Sequence, residues 1–208
     1  MVTHLDNQIG RVLRALRRLG MERDTVVVFT SDNGGERFSD TWPFTGKKTE
    51  LLEGGLRVPA IVRWPGLTRP GSESDVPILS MDWLPTFVAA AGGAPDPRYP
   101  ADGVDIRAAI AGRPLAERPL FWRYRNHGQE AMRLGQFKYL KIAGNSFLFD
   151  VVADPLERGN LKERMPERFA DLRARWTDWN ATMLPHDPEA PSYGFTGGML
   201  ADHFGIDD

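Results

Sequence analysis

Thr25-Val26-Val27-Val28-Phe29-Thr30-Ser31-Asp32-Asn33-Gly34-Gly35 is a β-branched run that breaks into two oxygen-bearing side chains and then two glycines. Such a short apolar run, bounded by turn residues, reads as a buried strand. The break puts Asp32 and Asn33, hard oxygen donors suited to a divalent cation, at the strand's carboxyl end, where open parallel sheets bind their ligands. Upstream, Val2, Leu5, Ile9, Val12, Leu16 and Leu19 recur at alternating spacings of three and four, one apolar stripe of a helix closed by Gly20. A helix that turns through Glu22-Arg23-Asp24 into a β-branched strand is half of a βαβ unit, so the expected class is α/β with a parallel or mixed sheet. Met1 falls within the helical period with no capping residue before it, and the expectation is a chain that starts in mid-helix.

Downstream, residues 32–57 read as a long glycine-rich polar loop, of the kind that is functional or disordered inside a compact domain. Val58 to Trp64 reads as a second strand, with Pro59 near its start and Pro65-Gly66 turning it off. Asp82 to Ala91 reads as a short apolar helix closed by Gly92-Gly93, with Ser80 or Asp82 as its cap. Composition then changes. The runs Leu120 to Tyr124, Phe137 to Lys141 and Phe147 to Asp150, separated by turn residues, predict a small antiparallel sheet. A helix from Pro166 to Met183 follows, with Phe169, Leu172, Trp176, Trp179 and Met183 on one stripe, and its tryptophans read as core packing. The expected organisation is a first segment 1–112, a small α+β subdomain 113–184 packed on its terminal helix, and a loop-like tail 185–208.

Bulk composition narrows the function classes. With 208 residues, 41% of them apolar, the chain can bury a real core. A net charge of −2 and the lack of a basic, aromatic-laced stripe argue against nucleic-acid binding. The absence of cysteine removes disulfides, zinc thiolates and a thiol nucleophile. No apolar stretch is long enough for a membrane span and the amino terminus carries no signal segment, so the expected location of the chain as written is the cytoplasm.

The order of segments resembles the sulfatases of the alkaline-phosphatase-like superfamily. The resemblance rests on Leu5-Asp6-Asn7-Gln8-Ile9-Gly10-Arg11-Val12-Leu13, Ser31-Asp32-Asn33-Gly34, and Gly46-Lys47-Lys48 through Glu53-Gly54-Gly55-Leu56-Arg57-Val58-Pro59. It continues through Trp64-Pro65-Gly66, Met81-Asp82-Trp83-Leu84-Pro85-Thr86, Asp102-Gly103-Val104-Asp105, Gly135-Gln136-Phe137-Lys138-Tyr139, Phe149-Asp150, Asp154-Pro155-Leu156-Glu157 and Asn160-Leu161. Each motif alone is weak, but their order and spacing cover nearly the whole chain. They place it as the carboxyl-terminal portion of a sulfatase, starting just before the last metal-binding strand.

The resemblance implies hydrolysis of aryl or carbohydrate sulfate esters with a divalent metal, Ca²⁺ or alternatively Mg²⁺, and a formylglycine nucleophile. It makes Asp32 and Asn33 metal ligands and Lys48 the catalytic, sulfate-binding lysine, with Lys47 as competitor because the two are adjacent in one loop. Taken by itself Asp-Asn-Gly-Gly is also simply a good turn sequence. Glu53 and Arg57 are expected to pair with each other or with backbone, and Trp122, Tyr124 and His127 to be core and turn residues with Arg123 and Arg125 in water. The Cys or Ser-x-Pro-x-Arg of the formylglycine site, the early paired aspartates, and the mid-chain lysine and histidine are absent from this sequence. The chain alone is therefore expected to be inactive, to expose apolar surface and sheet edges, and to self-associate or pair with a missing amino-terminal half. Two further readings stay open: a phosphate or phosphonate monoester hydrolase of the same superfamily, and a non-catalytic piece that docks on a partner.

Overall fold

The computed structural model of the chain describes residues 2–36, 39–187 and 189–190. In chain order the helices and strands are α1 (Val2–Arg18), β1 (Val27–Thr30), α2 (Glu53–Leu56), β2 (Ala60–Arg63), α3 (Trp83–Ala90) and α4 (Arg107–Ile110). After these come β3 (Leu120–Tyr124), β4 (Gln129–Leu134), β5 (Phe137–Ile142), β6 (Asn145–Asp150) and α5 (Pro166–Ala181). They group into two units, one formed by residues up to Thr30 with Ala60–Ala116, the other by Ser31–Pro59 with residues from Glu117 onward. The long loop read at 32–57 thus belongs with the small carboxyl-terminal sheet and not with the strand that precedes it.

In the second unit, β3, β4, β5 and β6 form an antiparallel meander in sequence order. Side chains alternate faces along a strand, and here both faces are covered. Met132, Tyr139 and Leu148 are neighbours on one face and pack with Leu172 and Trp176 of α5. Ala131, Leu140 and Phe149 lie on the other and pack with Leu51 and Val151. The Trp176 indole N–H donates to the Trp122 carbonyl at 3.0 Å, and Trp179 stacks on Phe121 at 4.9 Å, so the tryptophan stripe is core packing as its spacing indicates. Ala143 and Gly144 take positive φ (49° and 80°) in the tight turn between β5 and β6, the geometry that matches strand twist. The strand β4 is missing from the sequence reading: Gln129-Glu130-Ala131-Met132-Arg133-Leu134 has little β propensity, and its extended state follows from pairing on both sides with β3 and β5. The tail has no helix or strand over its described residues, and from 191 onward it lies outside them.

In the first unit, α1 ends as its sequence requires. Gly20 sits at φ +71°, its N–H donates to the Arg17 carbonyl at 3.1 Å, and that of Met21 donates to Leu16 at 2.9 Å, the paired bonds of a Schellman cap. The apolar stripe of α1 is real but unburied: Val2, Leu5, Val12 and Leu19 are all exposed. Strands β1 and β2 pair antiparallel, with Val27 opposite Arg63 and Thr30 opposite Ala60. A parallel pair would need a crossover back to the starting edge, whereas residues 31–59 leave and return at the same end. No parallel pair exists among the described strands. Phe29 and Ile61, directly opposite on this ribbon, are both exposed.

Asp82 organises the rest of that unit. It is fully buried, and its carboxylate accepts the Leu79 N–H at 2.7 Å and the Val104 N–H at 3.0 Å. Thr86, one turn on, donates to the Asp82 carbonyl at 2.6 Å and accepts the Ile106 N–H at 3.0 Å. Gly103 permits the approach, since a Cβ there would meet the Met81 carbonyl at 2.2 Å. The motifs at 81–86 and 102–105 are therefore one hydrogen-bonded structure; Asp82 holds the N-cap position of α3, but its carboxylate serves Leu79 and Val104 and no amide of the helix.

Replacing Asp82 by Ala leaves two half-buried N–H donors, of Leu79 and Val104, without their charged acceptor. Asp82→Ala is expected to cost about 2–4 kcal/mol in urea unfolding, and Asp82→Asn, which keeps one acceptor oxygen, less.

Candidate functional site

The site residues named from sequence sit on backbone locked by glycine contacts within the second unit. After β1 the Ser31 hydroxyl donates to the Asn33 carbonyl at 2.8 Å, and the Asn33 N–H donates to Asp32 Oδ1 at 3.0 Å. Asp32 is exposed and Asn33 half-buried. The Gly34 N–H donates to the Gly55 carbonyl at 2.8 Å, the Lys48 N–H to Gly35 at 2.9 Å, and the Gly54 N–H to Thr45 at 2.7 Å. These bonds stitch the Asp32-Asn33 turn, the lysine loop and α2 together. Glycine is required for it: a Cβ on Gly34 would lie 1.8 Å from the Gly54 carbonyl oxygen, and one on Gly55 2.0 Å from that of Glu50. Lys48 is exposed and Lys47 half-buried.

Beneath α2 lies an ionic cluster that the sequence reading missed. Lys138, on the β5 face that also carries Leu140, is fully buried, and its ammonium reaches Glu53 Oε1 and Glu157 Oε1, each at 2.9 Å. Glu157 Oε2 accepts the Glu53 N–H at 2.6 Å, and Arg133 lies 3.7 Å from Glu53 Oε2. Burial pushes the Glu157 carboxyl above its ordinary range, with the Lys138 charge opposing the shift. Gln129 adds a second tether: its Oε1 accepts the Leu51 N–H at 2.8 Å and its amide donates to the Thr49 carbonyl at 2.9 Å. Glu53 therefore pairs with Lys138 and not with Arg57, whose guanidinium lies over the Phe44 ring at 4.7 Å. One local signal for the cluster existed: Lys138 is in phase with the inward-facing residue of its own strand.

The remaining candidates fall into place as structural residues. Trp122 and Tyr124 pack against the core of the second unit, and His127 is an exposed turn residue at φ +57°. Arg123 is not simply solvated; it donates to Asn180 Oδ1 at 3.1 Å and to the Leu184 carbonyl at 2.6 Å. As cation donors Asp32 and Asn33 suit calcium or magnesium in kind. They do not suit it in number: calcium takes about six to eight oxygens, and no group of three or more acidic or histidine side chains converges among the described residues. No step of chemistry can be routed through a metal on these residues alone.

The Sulfatase family model matches residues 1–94, the stretch that holds the turn, the lysine loop and α2. N-acetylgalactosamine-6-sulfatase of Canis lupus familiaris is 38% identical over 143 residues, 66% of this chain and 27% of its own length. The chain belongs to the sulfatase family. Arylsulfatase A of Homo sapiens is 34% identical over 73% of this sulfatase chain and 31% of its own length. Among solved structures, that of Ps i-CgsB in complex with k-i-k-neocarrahexaose superposes with a TM-score of 0.81 at 27% identity, covering 86% of this chain and 41% of that one. The fold is therefore that of alkaline-phosphatase-like sulfatases, and the chain spans between 27% and 41% of the length of these proteins. No helix among the described residues is long and apolar enough to cross a membrane.

Two outcomes test the geometry. Gly34→Ala should lower stability by about 2 kcal/mol or more, because backbone must move to admit the methyl, and should speed hydrogen exchange at the Lys48 amide. A carboxyl whose folded pKa is raised adds stability that is present below its unfolded value and is lost as pH rises through the folded one. Urea unfolding across pH should show wild type gaining on Glu157→Gln as pH falls through that window, with the glutamine variant at least as stable at neutral pH.

Proposed function

We propose that this chain supplies the carboxyl-side share of the active site of a sulfuric ester hydrolase. In this reading Asp32 and Asn33 are two ligands of a divalent cation, calcium before magnesium, and Lys48 binds a sulfate oxygen. One observation carries it: the glycine lock joins the turn bearing the oxygen donors to the loop bearing the lysine, with Gly35 itself accepting the Lys48 N–H at 2.9 Å. A carboxylate, an amide oxygen and a flexible ammonium from adjoining backbone suit a sulfate ester, whose charge lies on oxygens that a cation and a lysine can each neutralise. Lys48 is preferred to Lys47 because it is the exposed member of the pair.

The metal, when bound, would polarise the ester oxygens. The part this chain plays is to orient and to neutralise: the Asn33 N–H holds Asp32 Oδ1, and Lys48 brings positive charge from a backbone-anchored loop. A formylglycine nucleophile is not encoded here, so bond cleavage belongs to sequence other than these residues. Sulfated carbohydrate or aryl esters are the substrate class, by analogy with the N-acetylgalactosamine-6-sulfatase and arylsulfatase A relatives.

The purified chain should not hydrolyse 4-nitrophenyl sulfate. By titration calorimetry it should bind calcium no more tightly than about millimolar, with binding lost in Asp32→Ala. Inorganic sulfate binding should fall about tenfold in Lys48→Ala while calcium binding persists. Turnover by the wild-type chain that disappears in Asp32→Ala would contradict the division of the site; sulfate binding indifferent to Lys48 would contradict its role.

A further inference from the structure

We infer that Glu53, Lys138 and Glu157 are positioning residues, a buried ionic latch that sets the lysine loop and the Asp32-Asn33 turn against the carboxyl-terminal sheet. The functional meaning of that position rests on the sulfatase reading of Lys48, Asp32 and Asn33; the latch itself rests on geometry.

Two carboxylates on one ammonium in a site without solvent is an expensive arrangement for stability alone. Buried ion pairs are replaced by apolar side chains of similar volume with little loss, and Lys138 shares its sheet face with Leu140 and Phe149 of the apolar cluster. The cluster does what apolar residues cannot: it bonds directly to loop backbone. Glu157 Oε2 takes the Glu53 N–H at 2.6 Å, the first amide of α2, while Lys138 holds both carboxylates. Glu157 adopts φ +52° to present its side chain there, a conformation unusual for a non-glycine residue.

From Glu53 the path to the candidate site is short. Gly54, the next residue, donates to Thr45 at the head of the lysine loop, and Gly55 accepts from Gly34, the residue after Asn33. The Gly35 carbonyl then takes the Lys48 N–H. The far side of the path is the centre of the sheet, where Lys138 is flanked across β4 by Arg133 and across β6 by Phe149. The sheet thus serves as a floor, to which Lys138 ties α2 through the two glutamates and Gln129 ties Thr49 and Leu51.

The test is amide hydrogen exchange on the 208-residue chain with Lys138→Met, which keeps length and volume but leaves two carboxylates without their cation. Amides of Gly34, Lys48, Leu51 and Gly54 should exchange about tenfold faster, while β4 and β5 ladder amides stay within about threefold. Adding Glu157→Gln removes one unpaired carboxylate and leaves Glu53 with Arg133, so the double variant should regain stability in urea unfolding while its loop amides stay about tenfold fast, and it carries the test if the single variant does not fold. Unchanged loop exchange, equal acceleration in the sheet, or failure of both variants to fold would each overturn the positioning role. Inorganic sulfate should slow exchange at Lys48 in wild type and do so about tenfold less well in Lys138→Met. If sulfate has no effect in wild type while the exchange pattern holds, the sulfate reading of Lys48 fails and the latch stands.

Discussion

Lys138 lies with no access to water between two glutamates that come from segments 85 residues before it and 19 after it. Desolvating an ammonium and two carboxylates costs more than one attractive pair returns, and the Glu157 carboxyl registers that cost as an upward shift. What partly offsets it is the convergence of charges: each carboxylate lies 2.9 Å from the Lys138 ammonium, Glu157 Oε2 also takes a backbone N–H, and Arg133 stands close to Glu53, although Glu157 Oε1 has the ammonium's charge and no hydrogen bond. Remove the central charge and the surrounding groups lose their reason to converge. The loop from Ser31 to Pro59 joins the second unit through this cluster, with Gln129 as its neighbouring tether.

Glycine packing translates that anchorage to the surface. Gly34, Gly54 and Gly55 bring three backbone segments closer than any side chain allows. Backbone bonds then fill the donors and acceptors that such a close approach would otherwise strand. Because the contact is made by main chain, side chains on either side of it remain available: Asp32 and Lys48 both stay exposed on a foundation that does not depend on them. Fixing a loop's backbone from below while its side chains stay exposed is the arrangement that would give precision to the site proposed for Asp32 and Lys48.

The first unit shows a different balance. Its interior is organised by a buried carboxylate, Asp82, and its outside carries the unburied stripe of α1 and the exposed pair Phe29 and Ile61. Helix α1 is amphipathic, well capped by Gly20, and yet buries none of its stripe. Local rules determined the helix; burial of its face is a separate matter that needs a partner surface. In the family's longer members the matching region is under half of the whole protein.

Much of this was legible from local pattern. The 3.6-residue period of α1 and α5, the β-branched run of β1, Gly20 as a stop and the tryptophan stripe as core all follow from side-chain spacing, which reports geometry within one element. The motif order identified the family and singled out Asp32, Asn33 and Lys48 by residue type. Strand β4 was not legible, because Gln129 to Leu134 is extended only by virtue of its neighbours. Nor was the antiparallel return of β2, or the affiliation of residues 31–59 with the distant sheet. The charge cluster was the least visible of all: Glu53 and Glu157 stand 104 residues apart, and no periodicity links them. Sequence by itself determined which elements form and which residue types line the loop. Only the tertiary structure decided that Lys138, inward in phase along its strand, gathers both glutamates, because a buried charge chooses its partners by proximity in space.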